Sequence, residues 1–571
     1  MTGFEMGAIA LADVAPLRDG AVPAHRVVAR RGDRVEWALQ AGGTLVLTVG
    51  DEEGVTRLDL SASGLAEAPL SLGLRFGRVT SVGRYLRNGY HSWDGSEFVE
   101  PGETTRRAAA GSPPTAGYAM TALVPTDASG ALVVGFERHD RFQSRFRFGG
   151  DEAALTIDAE SLLDRSGALA METLLLFWDD GVERALVRWS ERVAAASPLP
   201  PRVPARRITG WCSWYNLYAA IDEENIREHL AAAAAFRDRH GIDLDVFLID
   251  DGFTPEMGDW LDVKPQFPRG MKPLLGEIAA AGFTPGLWIA PFMVGNRSRL
   301  FAEHPDWVLR ERATGAPLVQ ATFYGEFRWH KRSEEYYVLD ITHPGAEAWL
   351  RHVLRTWTRD WGARYLKTDF MYFGAEHGPD RAAWHRPGMS RIAVWRRMGA
   401  IIREEIGDAL WLGCGCPLWA SVGLVDAVRI GRDAGVSWSG ERPAQSLLRD
   451  QVTRGHAAGR LWQADPDCIL LRDRYHHLTD AQVEGLALFA GLSGGVLMTS
   501  DHLGDLTSER EALFAALARL EVAGCSYPSL GGDEATIVQR ARLADGRTLE
   551  LRLDPATGES RCTDGAGNPW P

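Results

Sequence analysis

Up to about residue 190, apolar and polar positions alternate in short runs, at 44–49, 131–136 and 172–178, separated by Gly, Asp and Ser turns. A period of two is that of strands with one buried face, so this part reads as β. The period becomes helical over 180–196. The proline-rich stretch SPLPPRVPARR (197–207) then reads as a linker.

From residue 208 the pattern changes class. Apolar runs at 208–214, 246–250, 284–291, 365–370, 410–416, 427–433, 461–470 and 495–500 alternate with amphipathic stretches at 223–239, 346–359, 392–406, 444–458, 480–490 and 508–520. Continuous apolar runs suit parallel strands covered on both faces. Eight of them predict a (β/α)8 TIM barrel, with a long insertion at 294–344 and a hairpin around Thr314-Gly315. The chain returns to β at 535–543 and 547–553, joined by Ala-Asp-Gly. The expected division is an N-terminal β-sandwich over 1–196, a barrel over 197–520 and a small C-terminal antiparallel β-domain over 521–571.

Composition narrows the partners. The 571 residues are 45% hydrophobic and 24% charged, as in soluble globular proteins, and the net charge is −14. That balance argues against nucleic acid or an anionic membrane as a partner. No run reaches the roughly 18 apolar residues of a membrane helix. The N-terminus lacks a basic stretch of the signal-peptide type, so a cytoplasmic location is expected. Six cysteines show neither CxxC spacing nor a disulfide framework. Twenty tryptophans supply flat faces suited to sugar C–H surfaces.

In such a barrel the reactive groups stand at the C-terminal strand ends. There the sequence places Asp250-Asp251, Trp288, Lys367 and Asp369, Cys414, and Arg429 and Asp433, with Trp214 and Tyr215 after the first strand. Tyr365, Lys367 and Asp369 share one face by parity. A lysine two residues before a carboxylate favours its ionised, nucleophilic form. Asp369 and Asp433 on facing strands then suit glycoside hydrolysis, one attacking the anomeric carbon and the other serving as acid and base. Asp433 would need a raised pKa, and Arg429 is assigned to a sugar hydroxyl. Asp426, at the start of its strand and of opposite parity, is the rival acid. Asp250-Asp251 suits bidentate recognition of hydroxyls. Cys414 lacks a His base and reads as a pocket-lining residue, while His476-His477 reads as a solvated pair.

GWCSWYNLY (210–218), FLIDDGF (247–253), GLWIAPF (286–292), YLKTDF (365–370) and RIGRD (429–433) occur in that order, followed by WQADPDCILLR and LSGGVLMTSD. This set resembles the retaining α-galactosidases of glycoside hydrolase family 36. NGYHSW (88–93) resembles a segment of that family's β-supersandwich domain. The resemblance implies Asp369 as nucleophile and Asp433 as acid/base. It implies Asp250 and Asp251 on the 6- and 4-hydroxyls of galactose, Trp288, Lys367 and Arg429 around the ring, and Cys414 on the 2-hydroxyl side. Trp93 would close the aglycone side, and no metal or cofactor is expected. Where longer members carry CSGGG and Ser-Asp-Asn, this chain reads GCGCP and RIGRD, and Arg432 could retune the acid.

The expectation is hydrolysis of terminal α-galactose from small galactosides with net retention. α-N-acetylgalactosaminidase or transglycosidase activity is a rival, since the glycines flanking Cys414 suggest room at the 2-position. A non-catalytic carbohydrate-binding protein is the rival from another class.

Overall fold

The computed structural model describes residues 3–101, 116–149, 154–160, 168–322, 331–440, 442–532 and 535–570. Its N-terminal part builds two antiparallel sheets. One runs in the order Gly3–Met6, Ile9–Arg18, Ser71–Thr80, Ala154–Glu160, Ser144–Gly149 and Ala116–Tyr118. The other includes Thr44–Glu52, Val55–Ser63, Leu174–Asp179, Ala131–Phe136, Met120–Pro125 and Val82–Arg87. Leu11, Leu74 and Phe76 of the first share a core with Leu45, Leu58, Leu132 and Leu176 of the second. The alternation read from the sequence is therefore the alternation between core and solvent. Helix α1 (Val182–Ala196) packs on the second sheet through Ala185, Leu186, Trp189 and Val193, and Trp189 Nε1 donates to the Phe136 carbonyl at 3.0 Å.

A parallel sheet follows. Its strands are β1 (Thr209–Cys212), β2 (Val246–Ile249), β3 (Thr284–Ile289), β4 (Tyr365–Thr368), β5 (Leu410–Gly413), β6 (Ala427–Arg429), β7 (Gln463–Asp465), β8 (Cys468–Ile469) and β9 (Leu497–Thr499). They pair in the order β7-β6-β5-β4-β3-β2-β1-β9-β8, so the sheet curls until its two edges are pieces of one run. Only Pro466-Asp467 separates those pieces, and Val496 N–H bonds the Ala464 carbonyl at 2.9 Å across the gap. The single strand expected over 461–470 is thus split, because Pro466 has no N–H to give a ladder.

The longer helices are α2 (Glu223–His240), α3 (Met271–Ala280), α4 (Pro344–Arg355), α5 (Arg391–Ile406), α6 (Ser446–Arg454), α7 (Asp480–Leu492) and α8 (Ser508–Ala518). Helix α2 starts at a reciprocal cap, in which Asp222 Oδ1 accepts Asn225 N–H at 2.7 Å and Asn225 Oδ1 accepts Asp222 N–H at 3.0 Å. It stops at Gly241, whose φ of 57° suits glycine. Between β5 and β6 there is only the 3₁₀ turn Trp419–Ser421.

Strand parity sets the interior of the curl. Cys212, Val246, Leu248, Tyr365, Leu412, Ala427 and Met498 form one inner cluster. Their neighbours Trp211, Phe247, Ile249, Leu366, Trp411 and Val428 face the outer layer. The same alternation carries Lys367, Arg429 and Asp465 inward.

In the insertion, the expected turn forms at Thr314-Gly315, closed by Glu311 N–H on the Ala316 carbonyl at 2.9 Å; residues 323–330 lie outside the described ones. At the C-terminus, Val522–Ser526, Ile537–Leu543, Thr548–Leu553 and Ser560–Asp564 form a four-stranded antiparallel sheet. It packs on α7, with Leu549, Leu551 and Leu553 sharing a core with Leu488 and Phe489. Among the described residues, no helix is long and apolar enough to cross a membrane.

Candidate active site

The site is built on the C-terminal ends of β2 to β6. Asp369 leaves β4 with its N–H on the Ile289 carbonyl at 2.8 Å. Its Oδ2 accepts Trp288 Nε1–H at 3.1 Å and its Oδ1 accepts Phe370 N–H at 2.8 Å. Trp288 is held in turn: its ring meets Trp260 edge-on at 6.1 Å, and the Trp260 carbonyl accepts Trp357 Nε1–H at 3.1 Å. Trp357 sits in a π-helical turn (Thr356–Asp360) that ends α4. Burial pushes the Asp369 carboxyl above the ordinary range, Lys367 opposes this, and Asp433 adds to it.

Lys367 does not bond Asp369. Its Nζ donates to Asp250 Oδ2 at 2.8 Å, and both side chains are buried. Burial works against the charge of this lysine; Asp250, joined by Cys212, Cys414 and Asp369, outweighs it and holds Lys367 well above its usual value. Asp250 also accepts Cys212 Sγ–H at 3.4 Å, and its own N–H donates to Ser213 Oγ at 2.9 Å. The neighbouring Asp251 has a lysine of its own, with Lys331 Nζ 3.2 Å from Asp251 Oδ1. Lys331 is buried and also donates to the Thr254 carbonyl at 2.9 Å. It arrives from the insertion, and only the insertion's position after a strand end hinted at it.

Asp433 lies beyond β6 with its side chain 48% exposed, in contrast to Asp369. Arg429 Nη2 donates to Asp433 Oδ1 at 3.0 Å and lies 2.9 Å from Asp467 Oδ2. Arg429 therefore bridges two carboxylates, where the sequence had suggested a sugar hydroxyl alone. Burial works against its charge, but Asp467 together with Cys414, Tyr215 and Asp433 outweighs burial and holds it well above its ordinary value. Among the described residues, Arg429 Nε is buried without a hydrogen-bond partner. Asp467 also accepts Tyr215 O–H and, at 2.8 Å, Ala434 N–H, so it fixes the backbone next to Asp433. Burial pushes Asp465 up; its Oδ1 accepts Asp467 N–H at 2.8 Å. Asp465 and Asp467 are functional residues that the motif alone does not single out, although they share strand parity with each other.

Other expected residues fall as follows. Trp93 reaches the rim from the loop after Val82–Arg87, its ring meeting Phe370 edge-on at 5.0 Å. Its carbonyl accepts Arg432 Nε–H at 3.2 Å, so Arg432 binds the loop. Trp93 Nε1 is buried without a partner among the described residues. Trp214 is half-buried against Tyr218. Cys414 is buried, its thiol bonds Asp369, and burial holds it well above the thiol range. The glycines beside it leave no open space: a Cβ on Gly413 would meet Cys416 Sγ at 2.4 Å, and one on Gly415 would meet Phe370 N at 3.2 Å. Asp426 lies at the opposite strand end, where Oδ2 accepts Trp411 N–H at 2.8 Å and Arg403 Nη2–H at 2.7 Å. His477 is exposed, whereas His476 is half-buried with Nε2 2.6 Å from the Arg472 carbonyl.

The Melibiase family model matches residues 211–386, the stretch that supplies Trp214, Tyr215, Asp250, Asp251, Trp288, Lys331, Lys367 and Asp369. Over that stretch the chain is similar to the Melibiase family. Over 105 residues it is 31% identical to "Alpha-galactosidase 2" of Pediococcus pentosaceus, which is 17% of this chain and 14% of the relative. Over 220 residues it is 24% identical to "Alpha-galactosidase C" of Emericella nidulans, 35% of this chain and 26% of that one. The matched stretches thus span about a quarter or less of these curated relatives. Among solved structures, TtGalA, the α-galactosidase of Thermus thermophilus in complex with p-nitrophenyl α-D-galactopyranoside, superposes with a TM-score of 0.67. It is 25% identical, with 92% of this chain and 100% of that one covered. AgaA of Geobacillus stearothermophilus, a GH36 α-galactosidase, shares the fold at a TM-score of 0.62 and 14% identity, over 96% of this chain and 79% of its own. The resemblance to family 36 α-galactosidases read from the motifs is borne out, with the Melibiase match at its centre.

Proposed function

We propose that the protein is a retaining α-galactosidase that releases terminal galactose from small α-galactosides. The observation that carries the reading is the contrast between two carboxylates on one rim. Asp369 is buried and held by Trp288 Nε1 and Phe370 N, while Asp433 is half exposed beside the Trp93 loop. A fixed, desolvated carboxylate suits nucleophilic attack, and one open to solvent suits proton exchange with water.

In the first step an Asp369 oxygen bonds the anomeric carbon as the glycosidic C–O bond breaks, and the departing oxygen takes the Asp433 proton. In the second, water gives a proton to Asp433 and its oxygen attacks the anomeric carbon, releasing Asp369. Two inversions return the α-configuration. Asp250 and Asp251 accept sugar hydroxyls, and Lys367, with one donor on Asp250, keeps further N–H donors for the same ring. The buried Arg429 Nε–H is a further donor.

The reading includes a closed (β/α)8 barrel, divided from its neighbours at about residues 196 and 520. Its test is turnover of p-nitrophenyl α-D-galactopyranoside beside the α-glucoside and the 2-acetamido analogue, with the released anomer followed by proton NMR. Release of the α-anomer from the galactoside alone is expected. Release of the β-anomer first would overturn retention, and no release from any of the three would overturn the assignment.

A further inference from the structure

Arg454, the last residue of α6, is buried to 1% exposure and touches no carboxylate within ion-pair distance among the described residues. All five of its N–H donors are spent on two segments. Nε donates to Ser96 Oγ at 3.0 Å. Nη1 donates to the Ser92 carbonyl at 2.8 Å and to the Ile430 carbonyl. Nη2 donates to the His91 carbonyl at 3.4 Å and to the Asp94 carbonyl. Four of these acceptors belong to the loop that carries Trp93, and the fifth lies between Arg429 and Asp433.

The loop is shaped for this contact. A Cβ on Gly89 would meet Arg454 Nη2 at 2.4 Å and the Asp94 carbonyl oxygen at 2.0 Å, so any side chain there would displace the guanidinium. Ser96 Oγ, besides accepting from Arg454, accepts Gly89 N–H at 3.0 Å and donates to Asn88 Oδ1 at 3.0 Å. The buried pair Arg87–Asp94, at 3.0 Å, closes the far side. Burial lowers Arg454 to about 10, which leaves it charged at neutral pH, with Asp450 and Asp94 as the nearest opposing charges.

We infer that Arg454 is a positioning residue that fixes Trp93 relative to the strand end bearing Asp433, and so sets how tightly the leaving part of the substrate is held. A planar fork with five donors fixes two segments in register, which a lysine cannot copy. The inference rests on the galactosidase reading of the site.

The test compares raffinose with α-D-galactosyl fluoride, whose one-atom leaving group makes no contact with Trp93. In Arg454→Lys, KM for raffinose is expected to rise about tenfold while kcat/KM for the fluoride stays within about twofold. In a Trp93→Ala background the same substitution should add nothing for raffinose, because two residues acting through one contact are not additive. Should Arg454→Lys lack a cooperative melting transition, Ser96→Ala, which removes one acceptor, replaces it in the cycle with the same expected pattern. Equal losses on both substrates, or additive effects with Trp93→Ala, would overturn the positioning role while the wild-type turnover upholds the galactosidase reading. A wild type inert to the fluoride would overturn both.

Discussion

Lys367 neutralises Asp250, not Asp369: its Nζ lies 2.8 Å from Asp250 Oδ2, with both side chains buried. The lysine stands two residues before Asp369 in sequence, yet its charge is spent across the curl on β2. Removing one partner of such a pair leaves the other charged and desolvated. Lys367→Met is therefore expected to lower the free energy of unfolding by about 3–5 kcal/mol, measured by urea denaturation. Lys367→Met combined with Asp250→Asn should recover part of that loss, and a double variant as unstable as the two single losses summed would refute the pairing.

Lys367 still favours the Asp369 carboxylate, but burial outweighs it and, with Asp433, raises the pKa. In the proposed mechanism Asp369 attacks as the carboxylate, so kcat/KM should fall as pH drops through a value above the usual carboxylate range. The Cys414 thiol bond works in the other direction, stabilising the ionised form. Cys414→Ala is accordingly expected to move the acid limb of the pH profile to still higher pH. A limb that stays put or moves down would show that the thiol does not act on Asp369.

Asp433→Ala should separate substrates by their leaving groups. For raffinose, whose leaving alkoxide needs a proton, a loss of about 10²–10⁴-fold in kcat is expected. The fluoride should suffer far less in its first step. Comparable losses on both would assign Asp433 to something other than proton transfer.

Glu172, in the N-terminal sheets, is buried with Oε1 accepting Arg141 N–H at 3.0 Å, and burial pushes its pKa up to about 8. Asp140 adds to the shift, while Arg141 and Arg138 oppose it. The folded state then keeps a proton that the unfolded chain has lost from its ordinary 4.5 upward, so stability falls as pH rises from there to about 8. Glu172→Gln should remove this slope. It should raise the melting temperature at pH 7–8 and leave it nearly unchanged near pH 4.5; an equal shift at both would contradict a neutral buried Glu172.

Parity and strand-end position made most of the rim legible. Asp250, Trp288, Lys367, Asp369, Cys414 and Arg429 all follow from apolar runs and the side on which each run ends. Partner choice was not legible, because parity gives the face of a strand and not the neighbour met across a curved sheet. That is why Lys367 was matched with Asp369, and Arg429 with a hydroxyl. Lys331 comes from an irregular insertion that no period describes. The seventh strand was read through Pro466, whose missing N–H divides it. Helix α3 escaped because Pro273 and Gly276 blur its pattern, although a proline in the first turn costs no hydrogen bond.

The loop between Asn88 and Ser96 also limits how the chain can be cut. Its Ser92 N–H bonds the Cys416 carbonyl at 3.2 Å, Ser92 Oγ accepts Cys416 N–H at 3.2 Å, and the Tyr90 carbonyl accepts Leu418 N–H at 2.9 Å. A fragment beginning at the proline-rich linker would keep every acidic residue of the rim. It would also strand a buried guanidinium with four of its five acceptors gone. The parallel sheet is thus not a portable catalytic module, and grafts or fusions built on it need the first hundred residues carried along as part of the same unit.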